Sequence, residues 1–413
     1  ERIPLTPIDG TQAKFKSAKN PDGPLLEGFL DYDLSDLSMN SNNQVVFNVS
    51  LFPEESSNSS IDGLHKWSEE TGLWNIALQG DPAPGLTDVV FETFFGALMA
   101  ENGNVLFTTM LGGTGATSGA NQALWLESDG QLSLMLHESS PAPGMPGYSV
   151  NLTGNLNMLV LEIADDITLI GSGVQKPGDQ ASLAYWLGNT TNTELVPFLQ
   201  VDSSPNLNDP SVFKNTSEGP VAFTQMDNNS IRLDETGNVY FDAVGKLSDD
   251  STISGIWKSD SGSGNTTLLN RQSFADGWLN LELLESDDAG RIFFLAEKDG
   301  VKGVWIRAAS GERVNIASVG DGLEGRTIVD FANLSNRTLG EPKLHNLTDQ
   351  SGNFIFVARF DDANGDNKRD EGIFVAGLVP EPTNTFVWSG EAGNGDWHTL
   401  LNWDDGETGL DAD

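Results

Sequence analysis

Cysteine is absent from this 413-residue chain. Its absence excludes a disulfide framework, a thiol nucleophile and the thiolate metal sites. It does not imply a reducing compartment, because a secreted all-β core of this size holds together without disulfides. Basic residues are scarce: 22 Lys and Arg stand against 60 Asp and Glu, a net charge of −38. The basic footprint of a nucleic-acid binder is therefore missing, as is the charge that docks on anionic membranes. Such a charge suits salty water, where counterions screen repulsion beyond about 8–10 Å, and it makes divalent cations natural partners. No apolar run reaches the ~18 residues of a transmembrane helix, so no membrane span is expected. The four histidines (His65, His137, His345 and His398) are scattered, with no H-E-x-x-H. There is no G-x-S-x-G elbow either. The chain opens at Glu1 with neither Met nor a signal peptide, which reads as a processed N-terminus.

Turn chemistry is abundant, with 45 Gly and 18 Pro, and 38% hydrophobic residues suffice for a core. Residues 101–144 display the pattern: apolar runs at Asn104–Met110, Gln122–Glu127 and Gln131–His137, closed by the Ser140-Pro-Ala-Pro-Gly144 turn. Period-2 apolar character between turn residues marks half-buried strands. The unit recurs. Its first strand signal appears as Asn43-QVVF-Asn48, Gly103-NVLF-Thr108, Asp165-DITL-Ile170, Gly237-NVYF-Asp242, Gly290-RIFF-Leu295 and Gly352-NFIF-Val357. A second signal ends on Trp67, Trp125, Trp186, Trp257, Trp305 or Phe374. These anchors recur every ~50–70 residues and are expected to be core, each contributing about 2–3 kcal/mol by burial. A third apolar run follows each of the first five anchors, and a fourth precedes each first signal, as at Val89–Leu98 and Trp278–Leu284. Four strands per unit and six units predict an all-β, six-bladed β-propeller.

The predicted propeller spans residues 1–378, with units at about 11–80, 81–139, 140–201, 202–271, 272–318 and 319–377. The sixth unit lacks its last strand, and residues 2–10 are expected to supply it, closing the ring and removing an open edge. A Pro-containing linker over 379–384 precedes a β-rich tail or the start of a second β domain over 385–413, which carries Trp388, Trp397 and Trp403.

The turns Gly80-DPAPG and Ser140-PAPG, with G-N-V-x-F and A-L-W nearby, resemble secreted bacterial repeat proteins whose units end in G-D-x-A-P-G. That family is predicted to form propellers and is often attached to the cell surface. The resemblance covers roughly residues 20–377 and is degraded in the later units. The run V-W-S-G-E-A-G-N-G-D-W…N-W-D-D-G at 387–406 is similar to W-x-G…G-x-W…N-W repeats of bacterial surface and autotransporter-like proteins. Neither resemblance implies a defined catalytic activity.

The sharpest chemical motif is Asp362-A-Asn364-G-Asp366-N-Lys368-R-Asp370. It offers side-chain oxygens at positions 1, 3, 5 and 9 and the Lys368 backbone carbonyl at position 7, the hard donors Ca²⁺ takes in a tight loop. Position 12 is Ile373 rather than the usual Glu, and Asn367 stands where Gly is usual. A β-hairpin calcium loop is expected, against the plain alternative of a solvated acidic turn. Gly112-GTGATSG lacks the G-K-[ST] ending of a phosphate loop and reads as a surface loop. The pairs Asp165/Asp166, Asp249/Asp250 and Asp287/Asp288 suggest glycoside acid–base chemistry only in principle, since each sits at a turn. Sequons at Asn48, Asn58, Asn151, Asn189, Asn215, Asn228, Asn265, Asn333, Asn336 and Asn346 permit glycosylation.

These observations favour an extracellular, non-enzymatic structural or adhesive surface protein. It would self-associate or bind other surface proteins or glycans, assembling into a filament or lattice by strand addition through its tail. The alternatives are a propeller carbohydrate-active enzyme and a lectin-like glycan binder using exposed Trp74 or Trp278. Two carboxylates plus Arg or Tyr converging at the channel mouth would favour the enzyme.

Overall fold

The computed structural model describes residues 37–53, 61–152, 159–164, 166–208, 213–261, 264–323, 325–332, 353–361 and 370–376. Short segments at 14–15, 26–28, 348, 387–388 and 403–404 are also described. The fold is all-β. Antiparallel up-and-down sheets follow one another along the chain. The first is built on Val45–Pro53, Ile61–Ser68 and Gly72–Leu78. The second comprises Val90–Met99, Val105–Gly112, Gln122–Ser128 and Gln131–His137. Leu159–Ala164, Ile167–Gln175, Ser182–Asn189 and Leu195–Val201 form the third. Gly219–Leu233, Val239–Leu247, Thr252–Ser259 and Thr266–Arg271 form the fourth. The fifth is Trp278–Ser286, Ile292–Lys298, Val301–Arg307 and Arg313–Ser318. The sixth holds Arg326–Ala332, Phe354–Phe360 and Asp370–Ala376.

Local chemistry sets each hairpin. In the first and fourth sheets the turn between first and second strands carries an Asx whose carboxylate or amide oxygen accepts backbone N–H groups two and four residues on. Asn40 Oδ1 takes Asn42 and Gln44, and Asp234 Oδ1 takes Thr236 and Asn238. Three residues after the Asx stands a left-handed residue, Asn43 at φ 56° and Gly237 at φ 82°, which Asn and Gly tolerate best. Asp129-Gly130 and Asp299-Gly300, with both residues at positive φ, are two-residue turns matched to strand twist.

The anchors then meet across the ladder: Phe107↔Trp125, Ile170↔Trp186, Phe241↔Trp257, Phe294↔Trp305 and Phe356↔Phe374. In the first five sheets the pairing between third and fourth strands slips by one residue at the anchor. The slip explains the Gly two places earlier in G-I-W and G-V-W. A Cβ on Gly255 would lie 2.1 Å from the Asn270 carbonyl oxygen, and one on Gly303 2.8 Å from that of Ala317. The first sheet corrects the sequence expectation here. Its slip falls between Leu64 and His65, and Phe47 pairs with His65 while Trp67 pairs with Val45. His65, fully buried, is therefore the anchor, and Trp67 is only half-buried.

Each sheet uses one face against its predecessor and the other against its successor. Val46, Leu64 and Ile76 pack on Phe91, Phe107 and Trp125, and Leu106 and Leu124 pack on Ile170 and Trp186. Leu169 and Tyr185 pack on Phe223, Phe241 and Trp257. Tyr240 and Ile256 pack on Trp278 and Phe294, and Phe293 and Leu295 on Phe354 and Phe356. An edge-on aromatic pair repeats within this stack: Phe91–Trp125 at 5.2 Å, Phe223–Trp257 at 5.1 Å and Trp278–Trp305 at 4.9 Å, a favoured ring geometry. First strands of successive sheets lie against one another, from 90–99 through 159–164 and 219–233 to 278–286. First strands inward, fourth strands outward and face-to-face stacking are the features of propeller blades.

The inter-sheet turns reproduce one hydrogen-bond set. Leu78 N donates to Asp81 Oδ2 at 3.0 Å, Gly80 N to Phe91 O at 2.8 Å and Phe91 N to Asp81 O at 3.0 Å. In the degraded sixth copy, Ser318 N donates to Asp321 Oδ2 at 2.7 Å, Gly320 N to Ile328 O and Ile328 N to Asp321 O. The fourth sheet has an added feature. Lys214–Thr216 pairs antiparallel with its first strand and, through Thr216↔Thr266, parallel with its fourth, so that this sheet closes on itself. Asp370–Ala376 is an edge strand among the described residues, and residues 2–10 lie outside them. In the tail, Val387–Trp388 pairs with Trp403–Asp404.

Candidate functional site

The described members of the three aspartate pairs are turn structure. Asp166 accepts from Asn102 Nδ2 and from Thr190 Oγ1. Asp249 Oδ1 accepts from Ser251 N and Oγ, hydrogen bonds that hold its carboxyl below the usual range. Asp250 faces Lys246 at 2.7 Å. Asp287 Oδ1 accepts from Arg291 N, and Asp288 Oδ1 accepts from Glu235 N of the fourth sheet at 3.1 Å. Asp165 lies outside the described residues. The aromatic platform is likewise corrected: Trp278 is 9% exposed as the inner half of an edge-on pair, and Trp74 is half-buried with Lys66 5.1 Å from its ring centroid. Gly112–Gly119 is a surface connection pinned at Gly115, whose N–H donates to Asp88 O.

Of the calcium-type loop, Asp362, Asn364, Asp366 and Lys368 lie outside the described residues, as does the side chain of Asp370. Asp370 opens the last strand of the sixth sheet in register with Phe360, so the loop bridges two paired strand ends.

The strongest convergence of charge is one that sequence reasoning missed. Where the first strands of the third, fourth and fifth sheets meet, Arg232 Nε donates to Leu284 O at 2.9 Å and stands 3.5 Å from Glu285 Oε1. Glu285 Oε1 also accepts from Ser286 N at 3.0 Å, and Glu162 Oε2 accepts from Leu233 N at 2.6 Å. Arg232 and Glu285 are 6% and 5% exposed. Beside them the hydroxyls of Ser230 and Ser286 are buried with no hydrogen-bond partner among the described residues. Two carboxylates and a guanidinium thus lie on adjoining inner strands, whereas the carbohydrate-enzyme alternative requires them at the channel mouth. Their bonds run to neighbouring strands, and the pair is shut away from solvent. The available signal was a charged residue inside each of three apolar first-strand runs, L-E-I, I-R-L and L-E-S.

His65 is a further buried ionisable group. Desolvation pushes its pKa down to about 4, with Asn75 hydrogen-bonding in opposition, and Phe47 stacks on it at 5.8 Å.

Residues 9–161 match the model of a family of unknown function, DUF7453. No curated protein matches the chain. Among solved structures, the chain is similar to the β-propeller domain of the Trilobed protease from Pyrococcus furiosus, at 12% identity and TM-score 0.31. That alignment covers 83% of this chain and 94% of the other. It is also similar to Penicillium chrysogenum alpha-L-arabinanase complexed with arabinobiose, at 11% identity and TM-score 0.33, covering 89% and 99%. A third is Porphyromonas gingivalis dipeptidyl peptidase 4, at 10% identity and TM-score 0.36; 76% of this chain spans 47% of that one.

Proposed function

We propose that this chain is a non-enzymatic structural or adhesive protein of an extracellular surface. The observation that carries this reading is the use made of carboxylates. Asp234, Asp249 and Asp287 cap backbone N–H groups of their turns, Asp166 and Asp288 tie one sheet to the next, and the buried Arg232–Glu285 pair braces inner strands. The acidic charge, the resemblance to surface repeat proteins and the polar Ser/Thr/Asn-rich connections support it. In this reading the loop bearing Asp362, Asn364, Asp366, Lys368 and Asp370 binds Ca²⁺ and stiffens the last hairpin. The tail over 385–413 joins copies by strand addition. A carbohydrate-active enzyme is the second reading, favoured by the Glu162–Arg232–Glu285 convergence.

The test compares the full chain with one lacking 379–413, by electron microscopy and by screening against polysaccharides, each in Ca²⁺ and in EDTA. Filaments or lattices from the full chain in Ca²⁺, lost on truncation or chelation, are expected. Assembly indifferent to both changes would overturn the proposed roles of tail and calcium, and polysaccharide turnover would transfer the assignment to the enzyme reading.

A further inference from the structure

The repeat makes each inter-sheet junction a control for the others. At the first junction, Lys66, one residue past the anchor His65, reaches from the first sheet toward the second. Its ammonium donates to the Gly103 carbonyl and lies 3.4 Å from Glu127 Oε2, and Glu127 is 1% exposed. Glu127 stands two residues past its own anchor, Trp125. The fourth and fifth sheets repeat these positions. Lys258 follows the anchor Trp257 and projects over Tyr240, 5.8 Å from the ring centroid, on the face that packs against the fifth sheet. Two residues past the anchor Trp305, on the face turned back toward the fourth sheet, stands Arg307. Where the first junction answers its cation with a carboxylate from the next sheet, this one places Arg307 in the carboxylate's position, and Lys258 is paired instead with Asp260 of its own sheet.

A third cation joins them. Arg313 is the cross-strand partner of Arg307, and like charges directly opposite on a sheet are destabilising. Arg307 loses affinity for its proton through burial and the neighbouring Arg313. Its Nε is buried with no hydrogen-bond partner among the described residues, and Nη1 has only the Ala308 carbonyl at 3.4 Å. Arg313 lies 5.5 Å from the ring centroid of Trp278, a contact that holds a guanidinium without neutralising it. Neither arginine has a carboxylate partner among the described residues, in a chain with 60 acidic residues. The acids nearby are engaged elsewhere. Asp260 pairs with Lys258 at 2.9 Å, Asp234 accepts from the Tyr240 hydroxyl at 3.2 Å, and Asp287 pairs with Arg291.

We infer that Arg307 and Arg313, paired across the ladder, form a binding site for a single oxyanion, the carboxylate or sulfate group of a ligand. The anion brings the negative charge that Glu127 supplies at the first junction and that Arg307, at the corresponding position, does not. Guanidinium pairs suit this task because their planar forks match carboxylate and sulfate oxygens. The overall charge of −38 limits the ligand to one anionic group, since a polyanion is repelled over the screening length of about 8–10 Å. The site goes beyond the structural reading above and stands whether or not the chain assembles.

The test is calorimetric titration of the full chain with sodium sulfate and, separately, sodium acetate. Chloride is held at matched ionic strength, and melting curves are recorded alongside. Saturable binding of sulfate, acetate or both is expected, and which probe binds distinguishes the two ligand groups. Arg313→Gln, an exposed change, should weaken binding about tenfold. Arg307→Glu, which recreates the charge arrangement of the first junction, should abolish binding and raise the anion-free melting temperature. Non-saturating heats with both probes, or affinities unchanged in both variants, would overturn the site. A generic salting effect would raise all three melting temperatures equally and would count against it as well.

Discussion

His65 shows what a single position in this chain is asked to do. It occupies the place filled by tryptophan in four other sheets, with its imidazole neutral, stacked on Phe47 and fully buried. Because its folded pKa lies near 4 and its unfolded pKa near 6.5, the unfolded chain takes up a proton first as the solution acidifies. Its contribution is therefore complete above pH 6.5 and is lost as pH falls from 6.5 toward 4, by about 2 kcal/mol between pH 7 and pH 5. His65→Phe should remove that part of the pH dependence, so that the melting temperatures of variant and parent diverge as pH is lowered to 5. Parallel curves over that window would dismiss the assignment. The sequence named Trp67 as the anchor because it is the larger aromatic and stands on the same strand face, two residues away. What distinguishes them is the slip in the ladder between third and fourth strands, set by a partner strand rather than by the residue itself.

At the level of elements, the strands were largely legible. Asn104–Met110 became Val105–Gly112, and Gln131–His137 kept its limits, because period 2 and bounding turns are local properties. The polar node of the inner strands was not legible, since Glu162, Arg232 and Glu285 lie on three separate sheets and each looks like an isolated charge. Its energetics follow from burial. Removing one partner of a closed ion pair strands the other charge, so Arg232→Ala should cost about 3–5 kcal/mol. Replacing both charges by apolar residues of similar size, Arg232→Met with Glu285→Leu, should restore most of that loss. Urea titrations measure both, and a double variant as weak as the single would show that the node does more than brace strands. The calcium-type loop is legible only as a pattern, because its chemistry depends on oxygens converging and its spacing fixes only the order of donors.

For the molecule as a whole, stacking passes a core from sheet to sheet, so the two ends of the series matter most. Ile373 and Val375 of the last described strand are 44% and 63% exposed, and that strand is an edge among the described residues. Residues 2–10 are the segment expected to pair there. Deleting residues 1–12 should lower the melting temperature by several degrees, as the loss of a few kcal/mol does in domains of this kind. It should also promote aggregation through the bared edge. An unchanged melt would separate the N-terminus from ring closure. The repeat could be read from sequence because each unit carries its own anchors and turns. Closure rests on one short segment with no repeat to compare it with, and residues 2–10 lie outside the described residues.

The third and fourth sheets, whose outer strands are met at Val201 by Phe223 and at Thr266 by Lys214–Thr216, differ from the other sheets in what they offer to another molecule. An outer strand with a free edge is a template on which a foreign strand can grow, and one already paired at Val201 or Thr266 is a poorer template. The rim of this protein is therefore not uniform. Strand addition is disfavoured at the paired ends of the third and fourth sheets relative to the other outer strands.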